Sequence, residues 1–98
     1  MVTFLMCPPD YYGIEYEINP WMDVQRQADP KLAKEHWKKL YDLLQSQLHA
    51  AVKLIHPVRG LPDMVFTANA GLILEKRFIL ANMRHPQRQG ESAHFQKW

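Results

Sequence analysis

The residues best suited to chemistry in this chain fall in one stretch, GLPDMVFTANAGLIL (60–74), where Asp63 and Asn69 precede an apolar run. A carboxylate such as Asp63 can accept two parallel N–H bonds, which suits a guanidinium or an ammonium. The competing reading is a turn aspartate, because Pro62 fixes its own φ and biases Leu61 towards extended backbone. Asn69 carries a similar ambiguity. Asn is poor in strand interiors, so it can simply mark a strand edge or a bulge. Its amide oxygen is also a neutral acceptor, useful where a second carboxylate would add desolvation and repulsion. As a pair, the two side chains point to a ligand carrying a positive, hydrogen-bond-donating group.

Two further positions belong in the same discussion. Asn19, in YEINPWM, initiates an Asn-Pro turn, and the large apolar Trp21 and Met22 behind it imply a loop folded back over something. Arg88, in HPQRQG, is either a solvated loop charge or a bidentate clamp for a carboxylate. The histidines at 36, 49, 56, 85 and 94 lack the short paired spacings of zinc motifs, so no metal site is expected. Cys7 sits in an apolar run and reads as a buried structural cysteine rather than a nucleophile. Neither a Gly-rich phosphate loop nor a Ser nucleophile elbow is present.

These groups need elements to position them. VTFLMC (2–7) reads as a strand stopped by Pro8-Pro9, and residues 8–29 as a long loop. Asp29-Pro30 supplies an N-cap and a first-turn proline. From there Trp37, Leu40, Tyr41, Leu44, Leu48 and Ala51 recur at helical spacing, so an amphipathic helix is predicted over 30–50. A strand over 52–57, a hairpin within 70–83, a loop at HPQRQG and a helix start over 91–98 complete the order. Phe95 and Trp98 share the apolar face of that last helix, so either a partner covers it or the sequence continues past Trp98; continuation is the expectation.

Bulk properties narrow the class. The chain has 98 residues with 47% hydrophobic and 22% charged, enough for one small globular unit with a modest core. Twelve basic against ten acidic residues leave a formal charge of +2, with no Lys/Arg block, so nucleic acid is not an expected partner. A single cysteine rules out an internal disulfide framework and fits a reducing compartment. Apolar runs such as AGLIL are far shorter than the roughly 20 residues that cross a bilayer, and the N-terminus lacks a signal-peptide pattern. A cytoplasmic location without membrane contact is expected.

YEINPWM and GLPDMVFTANAGLIL together resemble the N-terminal part of the guanidino-group-modifying (amidinotransferase, or pentein) superfamily. Its members include arginine deiminase, dimethylarginine dimethylaminohydrolase and arginine dihydrolase-type enzymes, and the pattern is most similar to the last. The resemblance runs from MCPPDYY through ANMRHPQRQGE. It implies an α/β fold, a partial pentein (β/α propeller) of about one ββαβ-type module plus part of the next. In such enzymes a cysteine thiolate attacks the guanidinium carbon, a histidine shuttles protons and acidic residues hold the substituent nitrogens.

Carried over by position, Asp63 would hold the guanidino group, Phe66 would wall the pocket and Arg88 would meet the substrate carboxylate. Asn69 stands where the dimethylarginine-hydrolysing branch is often acidic, and Ala68 departs from that branch too. Asn19 with Asn69 looks more like the arginine dihydrolase pattern, in which arginine yields ornithine, ammonia and carbon dioxide. The family nucleophile lies late in a much longer chain and its histidine in mid-chain, and Cys7 does not match the nucleophile. The resemblance therefore implies binding groups with no catalytic residue in this chain, an arginine-like small-molecule partner and no cofactor. Arginine, methylated arginine and agmatine all fit, as do hydrolysis and amidino transfer. The alternatives are a small interaction module or homo-oligomer that buries Phe95, Trp98 and the sheet edge, and a non-catalytic relative that binds arginine-like ligands.

Overall fold

The computed structural model describes residues 2–98. Strand β1 (Thr3–Met6) pairs in parallel with β2 (Ala51–Leu54), in the register Thr3 to Ala51 and Met6 to Leu54. A parallel pair cannot be closed by a tight turn. The loop after β1 and helix α1 (Pro30–Ser46) make the crossover. Strands β3 (Gly71–Leu74) and β4 (Arg77–Leu80) form an antiparallel hairpin, followed by a single helical turn α2 (Pro86–Gln89) and helix α3 (Glu91–Lys97).

The ends of these elements follow from local chemistry. Asp29 caps α1, its side chain accepting from the Lys31 and Leu32 amides at 2.9 and 3.3 Å. The helix stops at Ser46 rather than near 50, because His49 adopts φ 50° and reverses the chain, letting the Ala50 amide donate to the Leu44 carbonyl at 3.0 Å. Strand β2 begins at Ala51 and ends at Leu54, short of the span read from sequence. The Ile55 amide still donates to the Met6 carbonyl at 3.0 Å, but Pro8 and Pro9 offer no amide to carry β1 further. HPQRQG is not a loop throughout: Pro86, preset for a first helical turn, starts α2.

The core is small and sits where β1, β2 and α3 meet the 3-10 turns after β2. Cys7, Ile55, Met64, Ala70 and Phe95 form it, with Leu5, Val58, Leu61 and Leu80 packed around. Phe95 is buried in this core rather than awaiting a partner, whereas Trp98 is exposed. No residue of α1 is buried; the helix rests on β2 and leaves Leu32, Leu40 and Leu43 exposed, with Trp37 stacked on Tyr41. No helix among the described residues is long and apolar enough to cross a membrane.

Gly71 opens the hairpin where the paired strand leaves no room for a side chain. A Cβ there would clash with the Ile79 carbonyl oxygen and stand within 2.7 Å of the Phe78 ring. The ring can rotate away, but the carbonyl belongs to the paired strand. Gly71→Ala is expected to destabilise the chain by about 1–3 kcal/mol, read as a lower urea midpoint with the hairpin amides losing hydrogen-exchange protection first.

Candidate functional site

Two consecutive 3-10 turns, Pro62–Val65 and Thr67–Asn69, carry the residues singled out in the sequence. The Phe66 amide donates to the Asp63 carbonyl at 3.0 Å and the Asn69 amide to the Phe66 carbonyl at 2.9 Å. Thr67 Oγ1 donates to the Leu5 carbonyl at 2.8 Å and ties the pair of turns to β1. Asn69 is therefore the last residue of a turn, not a strand-edge or bulge position.

These turns form one side of a cavity of about 470 Å³, and the loop before α1 forms the other. Asp63, Asn69, Asn19, Phe66 and Arg88 all line it. The loop contributes Ile14, Ile18, Trp21 and Met22. It is held in shape by Gln27, whose amide accepts from the Ile14 N–H at 2.9 Å and donates to the Ile14 carbonyl at 2.7 Å. Asn19 Oδ1 accepts from the Trp21 and Met22 amides, each at 3.0 Å, so its oxygen serves its own turn while its NH2 remains a donor. Trp21, expected to be covered, is 87% exposed at the cavity rim.

Asp63 is only 6% exposed, and its Oδ2 accepts from the Tyr16 hydroxyl at 2.6 Å. Burial first, then this bond to a carboxylate, drive the Tyr16 pKa upwards and keep the phenol protonated as the donor. Arg88 is the hub on the other side. Its Nε and Nη2 reach the Glu91 carboxylate at 2.9 and 3.0 Å, Nη2 also donates to the Asp63 carbonyl at 3.2 Å, and Nη1 donates to Asn69 Oδ1 at 3.1 Å. The Glu91 bonds raise the Arg88 pKa against the opposing effect of burial, so the guanidinium stays charged. Arg88 is thus a bidentate carboxylate clamp rather than a solvated loop charge, and the carboxylate it grips is one of the chain's own.

Sequence reasoning missed three members of this site. Glu91 is 0% exposed, and its spacing to Arg88, i to i+3, was the available signal. Tyr16 meets Asp63 across 47 residues and left no local signal. Tyr12 packs edge-on against Phe66, ring centroids 6.0 Å apart, which fixes the aromatic wall.

Cys7 lies in the core and does not line the cavity. Burial, then the charges of Asp10 and Glu91, push its thiol up to about 11. A thiol whose pKa is raised from 9.0 stabilises the fold fully below pH 9, and that contribution is lost as pH rises towards 11. Alkylation of Cys7 at neutral pH is accordingly expected to be at least about 100-fold slower in the native chain than in urea, followed by mass spectrometry. Equal rates would show an accessible thiolate. Among the described residues no cluster of three or more His, Cys, Asp or Glu side chains is arranged to hold a metal.

A buried acid, Asp63, and an arginine held by Glu91 thus line one open cavity. No protein-family model matches the chain. It is 46% identical over 98 residues to the bifunctional arginine dihydrolase/ornithine cyclodeaminase AgrE of Nostoc sp., covering 99% of this chain and 14% of that protein. It is 41% identical over 95 residues to the N(G),N(G)-dimethylarginine dimethylaminohydrolase of Mycobacterium tuberculosis, covering 97% of this chain and 31% of that one. A crystal structure of an AgrE variant in binary complex with L-arginine superposes with a TM-score of 0.89 at 44% identity, over 99% of this chain and 14% of AgrE. The chain thus spans about a seventh of AgrE and under a third of the dimethylarginine enzyme. The resemblance to the N-terminal segment of the guanidino-group-modifying enzymes holds across the whole chain, and arginine dihydrolases of the AgrE type are among its homologues.

Proposed function

We propose that this chain is the N-terminal segment of a cysteine-dependent enzyme acting on the guanidino group of arginine or a close derivative, and that it supplies substrate-binding groups without the nucleophile. The observation that carries this reading is the charge balance of the cavity wall and of the Glu91 carboxylate buried behind it. Asp63 and Glu91 face a single cation, Arg88, which Glu91 already holds bidentately. One buried negative charge is left for a cationic guest. In this reading Asp63 holds the guanidino group, Phe66 walls it, and Asn69 and Asn19 offer neutral hydrogen-bond partners. Arg88 meets the guest's carboxylate with the one N–H that its four internal bonds leave free. The fold belongs with this reading as one pentein module and part of a second.

The catalytic thiolate must come from outside these residues, since attack on a guanidinium carbon needs an activated sulfur within reach and Cys7 lies in the core. Purified chain is expected to release no ammonia from L-arginine. Titration calorimetry with L-arginine tests the binding itself. Asp63→Asn should cost about 2 kcal/mol of affinity, a loss of roughly 30-fold, and an affinity unchanged by that substitution would return Asp63 to a turn role.

A second reading rests on a separate observation. Leu72, Ile73, Leu74 and Ile79 of the hairpin and Trp98 are all exposed. Leu72, Leu74 and Ile79 share one face of the hairpin and Ile73 lies on the other, and apolar side chains exposed on both faces mark contact surfaces, as in a homo-oligomer or against the rest of a longer chain. Sedimentation of the purified chain tests the first of these.

A further inference from the structure

Glu91 touches no part of the cavity, yet it determines what the cavity offers. Its carboxylate is fully buried, an expensive position for a charge unless a partner neutralises it. The partner is Arg88, and the pairing uses the Nε–Nη2 edge of the guanidinium. Asp63 Oδ2 lies only 3.9 Å from the same Nε, beyond hydrogen-bonding range but still within ion-pair distance. Two carboxylates therefore compete for one arginine, and Glu91 holds it.

We infer that Glu91 is a positioning residue that keeps Arg88 from closing onto Asp63, so that the cavity presents a carboxylate not hydrogen-bonded by the neighbouring guanidinium and, beside it, a free guanidinium N–H. This inference rests on the guanidino-binding reading for its functional meaning, though its geometry can be tested alone. Glutamine at position 91 would keep the volume but replace one acceptor with an NH2 donor facing a guanidinium that can only donate. Arg88 would turn from it, and the nearest alternative anion is Asp63. The guest's acceptor would then be occupied from within.

The test combines structure and binding on the chain and its Glu91→Gln variant. A crystal structure of the variant is expected to show Arg88 hydrogen-bonded to the Asp63 carboxylate. L-arginine affinity is expected to fall at least tenfold, and adding Asp63→Asn in that background should cost far less than it does alone. A merely structural role for Glu91 would leave the two effects independent. Glu91→Asp, which keeps the charge, should restore part of the affinity.

An Arg88 that stays in place in the variant overturns the inference, as does full additivity of the two substitutions. If the variant does not fold, the Arg88 Nε–H proton resonance of the unmodified chain decides. Slow solvent exchange supports the Glu91 grip, and exchange as fast as that of a surface arginine rejects it. Absence of L-arginine binding by the unmodified chain would instead count against the guanidino-binding reading, while the position of Arg88 in the Glu91→Gln crystal structure would still decide the inference.

Discussion

Arg88→Ala is expected to destabilise the chain by about 3–5 kcal/mol, the range for removing one partner of a buried ion pair. The cost comes less from the lost bonds than from what remains. Glu91 would be left without its cation in a site with no exposure to water, bearing the cost of an unpaired charge or of taking up a proton, and Asn69 Oδ1 and the Asp63 carbonyl would each lose a donor. Urea denaturation read by circular dichroism measures the loss. The interpretation is checked by the double variant Arg88→Met, Glu91→Leu, in which neither charge is left behind. Replacing a buried pair with apolar groups of similar volume is often nearly neutral, so most of the stability should return. If the double variant is as unstable as the single one, packing and not the stranded carboxylate is what Arg88 provides. Arg88→Lys should fall between, because an ammonium cannot reproduce the two-point grip on Glu91 and reach Asn69 as well.

The contrast between Asp29 and Glu91 shows what a sequence exposes and what it conceals. Asp29-Pro30 acts on amides two and three positions away, so its meaning is complete within five residues and could be read directly. The amphipathic spacing of α1 is visible for the same reason, but periodicity reports a face and not its cover, and in this chain that face is only half covered, with Trp37, Tyr41 and Leu44 half-buried and Leu40 and Leu48 exposed. The His49 turn that shortens α1 depends on a left-handed residue with no glycine to announce it. Around the cavity, Asp63 and Asn69 stood out because Pro62 and the broken apolar pattern set them apart. Arg88 is legible as a potential carboxylate clamp, but nothing local says that its target is internal. Glu91, three residues on, reads only as a helix start, since burial is a property of the folded whole. Tyr16 was invisible: only the loop's return over the 3-10 turns brings its hydroxyl to Asp63.

Phe95→Ala should match Arg88→Ala in cost, at about 3–5 kcal/mol for deleting a buried aromatic ring, and it links the core to the cavity. Phe95 is 2% exposed and is the largest side chain in a core otherwise built from Cys7, Ile55, Met64 and Ala70. A domain of this size holds only about 5–15 kcal/mol in total, so little could compensate the void. Phe95 also lies four residues after Glu91 on α3, one turn along the same helix face. The ring that anchors α3 in the core therefore also holds the Glu91 carboxylate against Arg88. Phe95→Leu, which refills much of the space, should cost clearly less and leave the Arg88 Nε–H protected from solvent exchange. In Phe95→Ala that protection should fall even under conditions where the chain stays folded by circular dichroism. Protection that survives the loss of the ring would mean that the ion pair, and not the core, fixes α3. The order of cause would then run from the cavity outward, with the clamp holding the helix in place.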